Sequence, residues 1–146
     1  MPLGLGIREN LLKECAEEAG LSSELAAKCV AVGAVSYILE QQTKGLSPEI
    51  QFVFDLELPH DFVPEAVDGE VGAFYSFTID EIKQKIVTPE YKPNCALIVL
   101  DFLIRKGIIT AENEPRYLEI LSGMHTDLYH LDFLLSAPSL DEYTRC

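Results

Sequence analysis

A chain of 146 residues, 48% of them hydrophobic, has the size of one domain and enough apolar material for a single core. Its 24 acidic residues outnumber 11 basic ones, for a formal net charge of −13 at pH 7, which argues against sequence-independent nucleic-acid binding and against adhesion to anionic membranes. No apolar stretch follows a basic amino-terminal start, and the longest apolar run, CALIVLDFLI, is broken by Asp101, so neither secretion nor membrane spanning is indicated. Cys15, Cys29, Cys95 and Cys146 are far apart, with no C-x-x-C pair and no zinc-like spacing to His60, His125 or His130, and they read as reduced packing residues of a soluble, cytoplasmic protein.

The first predicted element is a helix that closes on Gly20, a natural carboxyl-terminal stop. Ile7, Leu11, Leu12, Cys15 and Ala19 fall near helical spacing and make its apolar face. Glu14, Glu17 and Glu18 stand at i, i+3 and i+4 and share another face. Like charges at that spacing weaken a helix by roughly 0.2–0.5 kcal/mol per pair, and a divalent cation, or a polyphosphate with its own metal, would give the cluster a purpose. The plainer reading of the same three residues is a solvated acidic face.

SSELAAKC then predicts a short helical or turn element, and VAVGAVSYILEQ a β-rich stretch. GLSPE is turn chemistry, with Gly45, Ser47 and Pro48 supplying the break, and the alternating IQFVFDLEL pairs with the preceding strand as a hairpin. PHDFVPEAVDGEV reads as a loop and AFYSFT as the next strand. Thr78 caps a helix from Ile79 to Ile86, with Glu81 completing a capping box. KPNCALIVLDFLIRKG is a longer helix with Asn94 near its start and Gly107 at its stop, apolar at Ala96, Val99, Leu100, Leu103 and Ile104. A last helix covers about Pro115 to Leu121, and the tail from His125, with Leu128, Tyr129, Leu131, Phe133, Leu134 and Leu135, either docks as an added turn or stays partly loose. Helix, then strands, then helices is an α+β order rather than a βαβ alternation.

The run Lys13, Glu14, Cys15, Ala16, Glu17, Glu18, Ala19, Gly20, Leu21 resembles the second half of the Nudix box, whose pattern there is R-E-U-x-E-E-x-G-U with U apolar. It departs from that pattern at Lys13, where the family usually has arginine; an arginine fork holds a glutamate bidentately, whereas lysine is a point charge. Downstream, VSYILEQQTKGLSPEIQFVFDLELP, VDGEVGAFYSFTIDEI and KPNCALIVLDFLIRKGIITAENEPRYLEIL resemble the carboxyl-terminal half of eukaryotic Nudix proteins of the thiamine pyrophosphokinase-related subgroup, to which thiamine diphosphate hydrolysis is attributed. The resemblance implies a Nudix-type α/β/α sandwich, present here as a partial domain over residues 1–125 with a tail at 126–146. The family's early strands and the glycine-led loop before its box helix are expected to be missing, Gly4 and Gly6 being a remnant of that loop. An edge left open in this way would favour association, with a homodimer as one outcome.

In chemical terms the resemblance implies attack of water on a phosphorus of a small nucleoside- or thiamine-type diphosphate, assisted by Mg²⁺ or Mn²⁺, which prefer oxygen ligands. It assigns Glu14, Glu17 and Glu18 as metal ligands, with Glu14 a possible base. Glu70, in DGEV, is a second candidate for base or further ligand; equally, Asp68-Gly69 is a plain turn with Glu70 at the surface. Lys13 holds Glu14 or touches phosphate, or else pairs with Glu9 or Glu17 at i±4. Tyr37, Phe52 and Phe54 are available to stack on a planar ring or to pack a core. His60 and His125 read as loop or surface residues, and Asn94 and Cys95 as capping and packing a helix, with Lys92 near enough to a helix start to meet a phosphate. The rival function is a truncated or catalytically impaired Nudix-like binding or interaction module that keeps the acidic helix without a full pocket; a further alternative is an acidic protein-interaction domain that takes no ligand.

Overall fold

A computed structural model of the chain describes residues 4–41 and 45–128. The architecture is α+β: helices α1 (Ile7–Ala19) and α2 (Ser23–Ala26), strands β1 (Val30–Gln41) and β2 (Gly45–Asp55), then helices α3 (Ile79–Lys85), α4 (Pro93–Arg105) and α5 (Tyr117–Met124). Two compact units result, Met1–Gly33 with Phe52–Ala96, and Ala34–Gln51 with Leu97–Cys146. No helix of the described residues is long and apolar enough to cross a membrane.

The first unit is organised by α1. Gly6 precedes it without a side chain to cap with, so only half of a capping box forms, Glu9 reaching back to accept the Gly6 N–H at 3.0 Å. At the other end Gly20 takes the left-handed conformation (φ 65, ψ 22), and its N–H donates to the Ala16 carbonyl at 3.2 Å. Arg8 donates to the carbonyls of Ala27 at 2.6 Å and Cys29 at 3.1 Å, tying α1 to the exit of α2, against which it packs. Ser22 caps α2 by accepting the Leu25 N–H at 3.2 Å. Ala26, Cys29 and Val53 are this unit's buried residues. Leu11, Leu12, Cys15 and Ala19 of the predicted apolar face are half-buried, and Ile7 is exposed.

The hairpin forms as expected but β2 starts earlier, at Gly45, so Ser47 and Pro48 lie in a strand and not in a turn. Among the described residues β2 pairs with β1 alone, and on its other edge a proline without an N–H costs nothing. The register of β2 turns Ser47, Glu49, Gln51 and Val53 toward the less exposed side and leaves Leu46, Ile50 and Phe52 exposed. AFYSFT, read from its composition as a strand, is neither strand nor helix: a strand needs a hydrogen-bonded neighbour, and among the described residues the sheet has two strands only.

α3 carries the predicted capping box, Thr78 accepting the Glu81 N–H at 3.3 Å while Glu81 accepts the Thr78 N–H at 2.7 Å. α4 begins with Pro93 as its first helical residue, where a missing N–H is harmless, and Gly107 follows its end at φ 68. The last helix begins later than Pro115 because Tyr117 N–H still donates into a turn, to Glu114 O at 3.1 Å. In the second unit, Thr126 N–H donates to the Ser36 carbonyl at 3.0 Å and Ser36 returns its hydroxyl to Thr126 O at 2.7 Å, so the start of the tail pairs with β1. The tail positions from Tyr129 onward lie outside the described residues.

Among the described residues of the second unit, Val35, Tyr37, Leu103 and Met124 are buried, Leu103 at 0% exposure. Leu103→Ala should therefore cost about 2–5 kcal/mol in urea unfolding, whereas Leu118→Ala, on a side chain 75% exposed, should stay within about 0.5 kcal/mol of the parent.

Candidate functional site

The outer face of α1 carries alternating charge. Lys13 donates to Glu17 Oε2 at 2.5 Å and lies 3.6 Å from Glu14 Oε1. Its ammonium is held above the ordinary lysine range by the hydrogen bond to Glu17 first, with desolvation opposing and the Glu14 charge adding. Of the pairings open to Lys13, the closest contact is the i+4 one with Glu17, and Glu14 is within Coulombic reach. All three side chains are well exposed, so the arrangement is solvent-screened.

A second segment reaches the same helix at its carboxyl-terminal end. Glu65 N–H donates to the Ala19 carbonyl at 3.2 Å, satisfying one of the open acceptors that end a helix. The chain there lies so close to Gly20 that a Cβ at that glycine would meet Glu65 O at 3.4 Å and Val67 Cγ2 at 3.5 Å. From this anchor the loop runs three residues to a turn in which Asp68 Oδ1 accepts the Glu70 N–H at 2.9 Å and Gly69 sits at φ 79. Both descriptions of this segment hold: Asp68-Gly69 is a turn, and exposed Glu70 follows it.

The turn enters the electrostatic field of α1. Glu18 is half-buried, and its carboxyl is held above the ordinary value of 4.5 by desolvation first, then by the charges of Glu14, Asp68, Glu70 and Glu17. Four carboxyl groups, two from the helix and two from the turn, thus act on Glu18. Asp68 belongs to this group although sequence reasoning treated it only as a turn residue; the signal was the D-G pair two residues ahead of Glu70.

Whether these residues suit a divalent cation can be judged from the donors. They are carboxylate oxygens, the preference of hard cations, and their mutual repulsion at Glu18 is what a dication would relieve. Among the described residues no three His, Cys, Asp or Glu side chains stand together in metal-holding geometry. The group fits in chemistry, and the side chains are not drawn together.

Cys15 lies between Glu14 and Glu17 in sequence but contributes no thiolate. Burial, the neighbouring Cys29 thiol with its hydrogen bond, and Glu18 push the Cys15 thiol up to about 11, so it is protonated at neutral pH. Cys15, Cys29 and Cys95 are free. Tyr37 is buried in the second unit with its hydroxyl donating to Glu49 Oε2 at 2.7 Å, an environment of core packing in which its ring faces are not open to a ligand. Phe52 is 56% exposed, so it packs no core. His60 and His125 are exposed.

No protein-family model matches the chain. It is 41% identical over 121 residues to Nudix hydrolase 24, chloroplastic, of Arabidopsis thaliana, a match covering 82% of this chain and 33% of that protein. Nudix hydrolase 20, chloroplastic, of the same plant is 42% identical over 121 residues, covering 82% of this chain and 32% of its own length. An uncharacterized protein of Saccharomyces cerevisiae is 41% identical over 134 residues, covering 84% of this chain and 39% of the relative. The chain thus spans between about a third and two-fifths of the length of these relatives.

Two substitutions test how the site is held. Gly20→Ala should destabilise the chain by about 1 kcal/mol, since alanine resists the left-handed conformation, and the loss should be visible in urea unfolding. Glu18 tests the charge. Because its carboxyl is raised in the folded chain, its ionisation opposes folding above the folded value, and that penalty disappears as pH falls toward 4.5, where the unfolded group also takes up its proton. Glu18→Gln should therefore raise Tm at pH 7–8 in metal-free buffer, and the gap to the parent should close on acidification. A gap independent of pH would mean that the substitution acts through packing.

Proposed function

We propose that this chain supplies the metal-binding helix and adjoining loop of a Nudix-type hydrolase that cleaves the diphosphate bond of a small nucleoside- or thiamine-type diphosphate. The observation that carries the reading is that the Glu65 N–H bond to the Ala19 carbonyl brings the loop of Asp68 and Glu70 to the end of α1, where their charges act on Glu18 beside Glu14 and Glu17. The matches to two proteins named Nudix hydrolases support it.

In this reading Glu14, Glu17 and Glu18 hold Mg²⁺ or Mn²⁺. When bound, the cation neutralises charge on phosphate oxygens and makes water a better nucleophile. Glu14, or Glu70 from the turn, takes the proton from water as its oxygen bonds to phosphorus and the phosphorus–oxygen bond of the diphosphate breaks. Lys13 stays protonated and holds Glu17 most closely, with Glu14 in a longer ion pair to it at 3.6 Å. The partner is then the small diphosphate itself, in a compartment where the thiols stay reduced.

That same Lys13 geometry favours a second reading, a Nudix-like module that binds a metal or metal-bound diphosphate without turning it over, because the base lacks the arginine fork that would fix it. Calorimetric titration with Mn²⁺ and phosphate release from thiamine diphosphate or ADP separate the two. The hydrolase reading expects metal-dependent release, a fall of about 10²–10⁴-fold in turnover for Glu14→Gln, and loss of Mn²⁺ binding in Glu17→Gln combined with Glu18→Gln. Metal binding without release supports the module. Unchanged Mn²⁺ affinity in the double variant overturns both.

A further inference from the structure

The first unit contains a cavity of about 520 Å³ lined by Tyr75, Phe77, Lys85, Thr88, Glu90 and Tyr91, none of which belongs to the acidic group. That volume is in the range of small-molecule sites. We propose that it binds a planar aromatic ring carrying an anionic group, the ring against the tyrosine and phenylalanine wall and the anion at the Lys85 ammonium.

One wall comes from the extended segment before α3. Tyr75 and Phe77, two residues apart, present their rings on one side, nearly parallel at 17° with centroids 6.1 Å apart. The capping box at Thr78 fixes the chain immediately after Phe77. Tyr75 is 77% exposed and Phe77 37%, so folding leaves aromatic surface in water that a flat ligand would cover.

The other wall follows α3 and is preformed. Thr88 N–H and hydroxyl both donate to the Lys85 carbonyl, at 3.0 and 2.9 Å, and Tyr91 N–H donates to Thr88 O at 3.1 Å, so two successive turns shape residues 85–91. Tyr91 keeps its phenol proton, its acidity weakened by burial first and then by Cys95, and remains a donor at neutral pH. The Glu90 carboxylate, on the same wall, is held below the ordinary carboxylate range by its own amide first, with the Lys85 charge adding.

Lys85 determines the ligand's charge. Its ammonium stands 5.0 Å from the Phe77 ring centroid, and its charge also acts on the Glu81 and Glu90 carboxylates. Of the six residues that line the cavity Lys85 is the one cation, so a negative group on a bound ring would be drawn to it. Ring and anion are therefore recognised by different residues, which makes the two contributions separable.

The proposal does not depend on the acidic helix, so every titration is run with EDTA. The probes are AMP, which has both parts, adenosine, which has the ring, and ribose 5-phosphate, which has the anion. AMP should bind tightest by calorimetry, and its adenine protons should shift upfield in NMR as they enter the ring currents. Tyr75→Ala, at a largely exposed position that folding does not need, should weaken AMP and adenosine alike by about tenfold. Lys85→Gln should weaken AMP several-fold and leave adenosine unchanged. No binding of AMP, ribose 5-phosphate binding as tightly as AMP, or an AMP affinity indifferent to Tyr75→Ala would overturn it.

Discussion

The end of α1 is where the first unit is decided. A helix of this length finishes with carbonyls that its own amides cannot reach, and here one of them is met from outside, by Glu65 N–H on the Ala19 carbonyl. That contact requires the chain to turn sharply away at Gly20, whose left-handed backbone (φ 65) is the conformation that favours glycine. The loop held by that contact is what carries Asp68 and Glu70 into the field of Glu18.

The consequence is electrostatic. A net charge of −13 is spread over many exposed acids, which salt and water screen, but carboxyl groups gathered about a half-buried member are screened less. Glu18 registers that gathering as a raised affinity for protons. Only Lys13 answers it on the helix face, and it is spent chiefly on Glu17. Next along the helix, the Cys15 thiol, pushed up by burial first and then by its neighbour Cys29, stays protonated and adds no charge beneath the acids.

Around α3 the organisation is of another kind. The segment before it is extended but unpaired, so its alternation presents aromatic rings to one side without a sheet to bury them. The capping box at Thr78 and the turns at 85–91 then hold the two ends of a short helix in place, and the rings with Lys85 border a cavity between them. Local hydrogen bonding does the positioning here; the exposed aromatic surface remains available.

Much of the local structure could be read from residue type and spacing. Gly20 as a helix stop, Thr78 with Glu81 as a capping box, the hairpin of β1 and β2, and Glu14, Glu17 and Glu18 on one helix face all rest on interactions within a few residues, which sequence encodes directly. The exceptions were interactions at a distance. AFYSFT has strand composition but no partner to pair with, and β2 began at Gly45 because an unpaired edge tolerates Pro48. Tyr37 and Phe52, equivalent by alternation, were separated by burial into a core residue and a surface one. Nor could spacing bring Asp68 and Glu70 to Glu18, since some fifty residues lie between them. Sequence by itself determined the elements and the acidic face; the tertiary structure decided which loop comes to that helix, because the approach depends on an open carbonyl at Ala19 being met by the Glu65 N–H, a pairing defined only once the chain has folded.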